Sequence, residues 1–569
     1  MPRIAIILLG IVCLLGGIAP SDPPRAAAQF PPGERPLILP INLPPGPGNW
    51  LIGQHYGNTT GAYNFGARWY SAGQGLHFGL DLFAPCGTPL VSMADGVVHA
   101  VDAGAFGSAP HNLIMRHDEL NLSILYGHLL ETPPLNPGDF VPQGAYIGLV
   151  GDPDGVCTSR PHLHLEIRSL DFRTTFNPID YIEAPWHMLS SIGMFSNPQF
   201  QQDMDNPRRW MTLRDQPTVQ FGGARLNDYA VTWPYPLDVR PPDNAPLPRA
   251  LGPLPAGGAW TTRALTTGGC CAYPWWGPED SERFYVIDGP NGQRANVFEY
   301  RVDGAAAPQP IEPAPPMLLS PDGAYQVTRV NGLVTIRDLG DLSEWAVETQ
   351  GALPAISTDN SRLLWEVWRG GYLPGESYQT VETWMSNLDG SQARMIWQQP
   401  GGWAVWLDAA RALIVTPILD RTETRLTIYD TRTDEHFVLG IWNWIRDISV
   451  APGGERLMFY LVNQTDPARN GVYTIRTEQG AVAEALPFFG GWRWRDAESV
   501  YYVPLDISSG NAATLAYYHI PSAENRYLTD AAVTPLYIAN ADWHVSPDGR
   551  RIIYRNAQDD NLWLAELTP

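Results

Sequence analysis

A turn-and-strand unit recurs along the second half of the chain and constrains its fold more than any other feature. In each copy a turn containing Asp or Gly precedes an apolar strand, and a second strand follows a polar gap. The copies are SPDGAYQVTRV from Ser320, STDNSRLLWEVW from Ser357, LDAARALIVTPI from Leu407, APGGERLMFYLV from Ala451, RDAESVYYVPL from Arg495 and SPDGRRIIYRN from Ser546. Their anchors, Asp322, Asp359, Asp408, Gly453, Asp496 and Asp548, lie 37, 49, 45, 43 and 52 residues apart, and a weaker copy, EDSERFYVID, surrounds Asp280. A period of about 40–50 residues with about four short strands per unit is that of β-propeller blades, which stack on their neighbours to bury their faces. Six or seven blades are expected over residues 256–569.

The remaining residues point to the same all-β class. The 54 Gly, 54 Pro, 21 Trp and 24 Tyr suit short strands joined by tight turns. From 50 to 185 short apolar runs punctuated by Gly and Pro, such as Leu90–Met93, Gly96–Val101 and Leu122–Tyr126, read as a compact antiparallel β domain without a long helix. Residues 29–49 carry seven prolines between Phe30 and Asn49 and read as an extended tether. Residues 186–255 read as a connecting segment, with a spacer of eight prolines between Trp233 and Pro255.

Charge and leader bound the function. With 37 Lys and Arg against 59 Asp and Glu, the formal charge of −22 repels nucleic acid and anionic membranes. Arg3, the apolar run Ile4–Ala19 and the small residues Ala26, Ala27 and Ala28 read as a signal peptide over 1–28, with no membrane span left after its removal. The expected location is outside the cell or in its envelope. Export permits disulfides among the remaining cysteines, Cys86, Cys157, Cys270 and Cys271.

The chemistry-bearing stretches are GLHFGLDLFAPCGTPL, LYGHL and RPHLHLEIR. Alternate side chains of a strand share a face, so His77 and Asp81 pair on one strand, and His162 and His164 on another. Imidazole and carboxylate are zinc's usual N and O donors, and three protein ligands leave a position for water in a catalytic site. If Asp81 and His162 meet, Cys86 and Cys157, each five residues away, come close enough to bridge. Cys270 and Cys271 are then a vicinal bridge or a free pair.

In order and spacing, these motifs resemble the lysostaphin-like zinc endopeptidases that cleave peptidoglycan peptides, over Trp50 to about Arg168. The resemblance implies that His77, Asp81 and His164 bind Zn²⁺ and that His128 and His162 are catalytic histidines outside the ligand set. It departs at Arg160, where the family usually has Gly, and in the cysteine-bearing turn Gly151–Thr158. Residues 256–569 in turn resemble TolB-like propeller repeats. The expectation is a zinc metalloendopeptidase acting on peptidoglycan peptides, with a propeller that targets it or takes a protein or glycan partner. The competing expectation is a catalytically silent envelope scaffold whose propeller carries the function. His55, His111, His117 and His187 are expected to be structural, and Glu166 to support the ligand beside it.

Overall fold

The computed structural model describes residues 31–568, apart from 32, 60, 63–68, 193–211, 225, 227–246, 256, 272, 278, 291–295, 305–306, 311–316, 371–378 and 419–421. The expected signal peptide lies outside the described residues. Among those described, no helix is long and apolar enough to cross a membrane.

The N-terminal part is an antiparallel sheet. Its strands are β1 (Leu51–Gln54), β2 (Leu80–Phe83), β4 (Gly96–Val101), β5 (His111–His117), β6 (Leu122–Leu129), β7 (Phe140–Val141) and β9 (His162–Ser169), in the order β1-β2-β9-β6-β5-β4-β7. A separate pair, β3 (Pro89–Val91) and β8 (Tyr146–Leu149), packs beside it. Strand alternation sorts β9 cleanly: Leu163, Leu165 and Ile167 enter the core, and His162, His164, Glu166 and Arg168 face the other way. In β2, Leu80 and Leu82 join the same core while Asp81 and Phe83 share the histidine face. One face of the sheet is therefore a hydrophobic core and the other carries polar chemistry. Truncating Leu163 or Leu165 to Ala would cost about 2–5 kcal/mol, because each is fully enclosed.

One proline-rich stretch departs from its reading, and most of the spacer between Trp233 and Pro255 lies outside the described residues. The segment 31–49 is no free tether: Leu37 and Ile41 are buried in the sheet's core, and Leu37 bridges to Ile182. Single apolar residues among prolines give no periodicity, yet two side chains suffice to anchor a short strap. After the short helix α1 (Trp186–Leu189), the chain also returns to the sheet: β11 (Val219–Gln220) pairs with β10 (Thr174–Phe176), which pairs with β9.

The C-terminal part is a seven-bladed β-propeller of four-stranded antiparallel sheets. Six are formed from consecutive strands over 275–310, 317–347, 355–400, 403–443, 445–485 and 490–527. The seventh combines Ile538–Val545, Arg551–Asn556 and Leu562–Thr568 with the far earlier strand Ala259–Ala264, closing the ring. Each recurring turn lies between the first and second strands of a blade. Its chemistry is local: Ser320 Oγ donates to Asp322 at 2.6 Å and Ser357 Oγ to Asp359 at 2.7 Å. The aromatic residues Trp406 and Trp492 are buried between blades.

The propeller is docked on the sheet domain. Met188 packs with Tyr501, Val503 and Trp543. Leu51 and Ile192 pack with Met458, Tyr460 and Trp492. The His187 backbone N–H donates to Asn511 Oδ1 at 3.0 Å. Shared cores of this kind restrict relative motion between two domains.

Candidate metal centre

The register of β2, β9 and β6 builds the site. Asp81 pairs with His164 across β2 and β9, and Gly127, next to His128, pairs with His164 across β6 and β9. His77 does not share a strand with Asp81. It sits in a bridge with Gly57, and the backbone turns at Phe78 and Gly79 before β2 begins. Gly79 is required there, since a Cβ would lie 2.5 Å from His164 Cε1.

Around one point stand His77 Nε2, 3.2 Å from Asp81 Oδ1, and His164 Nδ1, 2.8 Å from the same oxygen. These three buried residues form a candidate metal site, their donor atoms within 4.8 Å of one another. His162 Nε2 lies 3.7 Å from Asp81 Oδ1, and the His128 ring is centred 4.9 Å from that of His162. All five residues singled out from the sequence are brought together.

Each imidazole is oriented through its other nitrogen. A carbonyl only accepts, so His77 Nδ1 donates to His55 O (2.7 Å), His162 Nδ1 to Arg160 O (2.6 Å) and His128 Nδ1 to Ala109 O. His164 Nε2 is held by Glu166 Oε1 at 3.2 Å, and Arg168 Nε donates to Glu166 at 2.6 Å. The free lone pair of His77 Nε2 therefore faces a carboxylate oxygen, as does His164 Nδ1. Acceptors converging on one point in a buried pocket call for a cation, so the donor set fits a metal ion.

The charges agree with this. Burial opposes ionisation of Asp81, but the neighbouring His77 and His162 and the hydrogen bond with His164 hold its pKa well below the usual carboxylate range. Burial opposes protonation of His164 as well, yet hydrogen bonds to Asp81 and Glu166 raise it to about 9, so in the metal-free chain Nδ1 carries a proton toward Asp81 that a bound metal would displace. His128 is pushed down to about 3 by burial and by repulsion from His162 and His164, and His162 is lowered chiefly by burial.

Two contributors were given no part in the site from the sequence. His55 acts through its backbone carbonyl, while its buried ring accepts or donates at Ser190 Oγ, 2.8 Å away, beside α1. A backbone role leaves no trace in side-chain identity. Arg168, two residues after Glu166 on the same strand face, completes the Glu166 pair, and alternation could have flagged it. The Cys86–Cys157 bridge forms as expected and ties the end of β2 to the turn before β9, and Cys270–Cys271 is a vicinal bridge. His117, buried with Nδ1 at Asp95 O, is structural.

A sheet face that gathers a His, Asp, His donor set and two further oriented imidazoles defines a candidate metal-dependent hydrolase. Residues 75–178 match Peptidase family M23, so the chain carries a peptidase domain of that family joined to a seven-bladed propeller. No curated protein matches the chain. Similar solved structures include an oligogalacturonate lyase in complex with manganese, 13% identical over 54% of this chain and 91% of that one with a TM-score of 0.39. A Pyrococcus horikoshii acylaminoacyl peptidase is 13% identical over 52% of each chain, with a TM-score of 0.39. A putative TolB from Agrobacterium tumefaciens is 14% identical over 44% of this chain and 89% of that one, with a TM-score of 0.25. These likenesses are too loose to carry an argument, and the propeller rests on its own seven sheets.

Proposed function

We propose that the chain is an exported zinc metalloendopeptidase that hydrolyses peptide bonds in bacterial cell-wall peptidoglycan, with the propeller as its targeting or interaction module. The observation that carries the reading is the convergence of His77 Nε2, Asp81 Oδ1 and His164 Nδ1, with His128 and His162 beside them. His77, Asp81 and His164 would hold the zinc, which when bound supplies Lewis-acid polarisation of the scissile carbonyl and acidifies a water.

The chain's own residues do the rest. Asp81 is the single carboxylate of the donor set, so the loaded centre stays net positive and favours a developing tetrahedral anion. His128 and His162, lowered in pKa and each with Nδ1 tied to a carbonyl, present Nε2 as a proton acceptor at neutral pH. The ring that takes the proton then becomes a donor, to the anion or to the leaving amine. Glu166 and Arg168 keep His164 in one orientation.

Export is supported by the N-terminal leader and by the Cys86–Cys157 bridge, which suits an oxidising compartment. The test is release of soluble muropeptides from purified cell walls by the zinc-loaded chain. Release that stops with chelator and returns with zinc is expected. Zinc-loaded protein that releases nothing from walls of several chemotypes would leave the silent-scaffold reading in its place.

A further inference from the structure

The segment from Trp186 to Ile192 is wedged between the two domains and divides its side chains between them. Trp186 and Leu189 belong to the core of the sheet domain. Met188 and Ile192 belong to cores shared with the propeller. The His187 backbone N–H donates to Asn511 Oδ1 at 3.0 Å. Gly491 of the propeller lies so close that a Cβ there would stand 2.4 Å from Ser191 O. The propeller therefore fixes this segment as much as the sheet does.

Between these anchors stands Ser190, fully enclosed, whose Oγ donates to Trp186 O at 2.6 Å. A hydroxyl has one proton, and the carbonyl takes it. The Oγ lone pairs then accept from His55 Nε2, 2.8 Å away, which settles on which nitrogen the His55 ring donates. His55 directly follows β1, whose first residue, Leu51, also packs in a core shared with the propeller. The carbonyl of the same His55 accepts from His77 Nδ1 at 2.7 Å, leaving Nε2 as the ligand atom, 3.2 Å from Asp81 Oδ1. A buried hydroxyl is tolerated where it is bonded, and the bonds of Ser190 lie on the route from α1 to His55. Packing and hydrogen bonds thus run unbroken from the propeller through Ser190 and His55 to His77.

We propose that Ser190 is a positioning residue for the metal ligand His77, acting through His55, and that it couples the seating of the propeller to metal affinity. This rests on the reading of His77, Asp81 and His164 as metal ligands. It makes the propeller part of the support of the metal centre, beyond targeting. Such coupling is reciprocal: if a seated propeller tightens zinc binding, bound zinc tightens the seat by the same factor.

The test uses the full chain, Ser190→Ala, His55→Ala, the double variant and His55→Gln, whose amide N–H can still reach Ser190. Zinc affinity is measured by competition with a chelator. Hydrogen exchange is followed by mass spectrometry in the peptide spanning 186–192, with and without zinc. Ser190→Ala is expected to weaken zinc about tenfold, the lower end for groups that orient a ligand. His55→Gln should stay near the wild type. The double variant should bind zinc no more weakly than His55→Ala, where independent losses would multiply. Zinc should slow exchange over 186–192 in the wild type and not in Ser190→Ala. If His55→Ala does not fold, Ser190→Ala and His55→Gln decide alone. Unchanged zinc affinity in Ser190→Ala, or zinc-dependent protection that persists in it, would overturn the coupling and leave the metal centre standing. Losses that multiply in the double variant would overturn the route through His55. A wild type that takes up no zinc would overturn the metal reading and the coupling with it, and none of these readouts depends on hydrolysis.

Discussion

At the scale of single residues, the site divides into groups that would hold the metal and groups that would move protons. Replacing His164 with Ala is expected to abolish metal retention. His128→Ala is expected to retain metal and lose about 10²–10⁴-fold in turnover, the usual worth of a general acid or base. Metal content by elemental analysis beside muropeptide release checks both, and equal metal loss in the two variants would overturn the division. Glu166→Gln keeps the size of the side chain but removes the charge that holds His164 Nε2 and pairs with Arg168. Metal affinity should fall about 10–100-fold in a competition titration against a chelator.

Much of this was legible in the sequence. His162 and His164 alternate with core leucines, and strand geometry alone places them on one face. The pairing of His77 with Asp81 was legible as a motif, but the reason read from it was wrong: the turn at Gly79 brings them together, not a common strand. His55 was illegible because its carbonyl does the work. Ser190 was illegible because only the folded chain brings it to His55, 135 residues away.

At the scale of elements, the turn between β8 and β9 delivers Arg160 and His162, and it is the best-secured loop near the site. Asp154 accepts the backbone N–H groups of Val156, Cys157 and Thr158, and Asp152 those of Ser159 and Arg160. The disulfide closes a separation of 71 residues, for which the chain-entropy account gives about 4 kcal/mol. A Cys86→Ser, Cys157→Ser double variant should melt earlier in calorimetry and lose turnover more than metal, because the loop and not the donor set loosens. The blade turns were readable since Ser and Asp at fixed offsets close them locally. The strap over 31–49 was misread because Leu37 and Ile41 stand alone among prolines and only the folded sheet supplies their partners.

At the scale of the whole molecule, the two domains share packing, and His187 sits at the seam. It is fully enclosed, and its pKa is pushed from 6.5 to about 3, first by burial and then by Arg214, His55 and Arg555. Above pH 6.5 both folded and unfolded chains hold this ring neutral and folding is not penalised. As the pH falls from about 6.5 toward 3, only the unfolded chain takes up the proton, and at most about 5 kcal/mol of stability is lost. The melting temperature should therefore drop between pH 7.5 and 5 by more in the wild type than in His187→Gln. Parallel profiles would show that the seam does not titrate.

The central claim is that His77, Asp81 and His164 are the zinc ligands of a peptidase, and anomalous diffraction at the zinc edge from crystals of the zinc-loaded chain addresses it directly. The described residues hold one other cluster of metal-binding size, Cys270, Cys271 and Asp288, but its two sulfurs are joined in the vicinal bridge and could bind only after reduction, so the location of the peak is decisive. A single strong peak bound by His77 Nε2, Asp81 Oδ1 and His164 Nδ1 is predicted. A peak only at the cysteine pair, or none between the two histidines and Asp81, would contradict it.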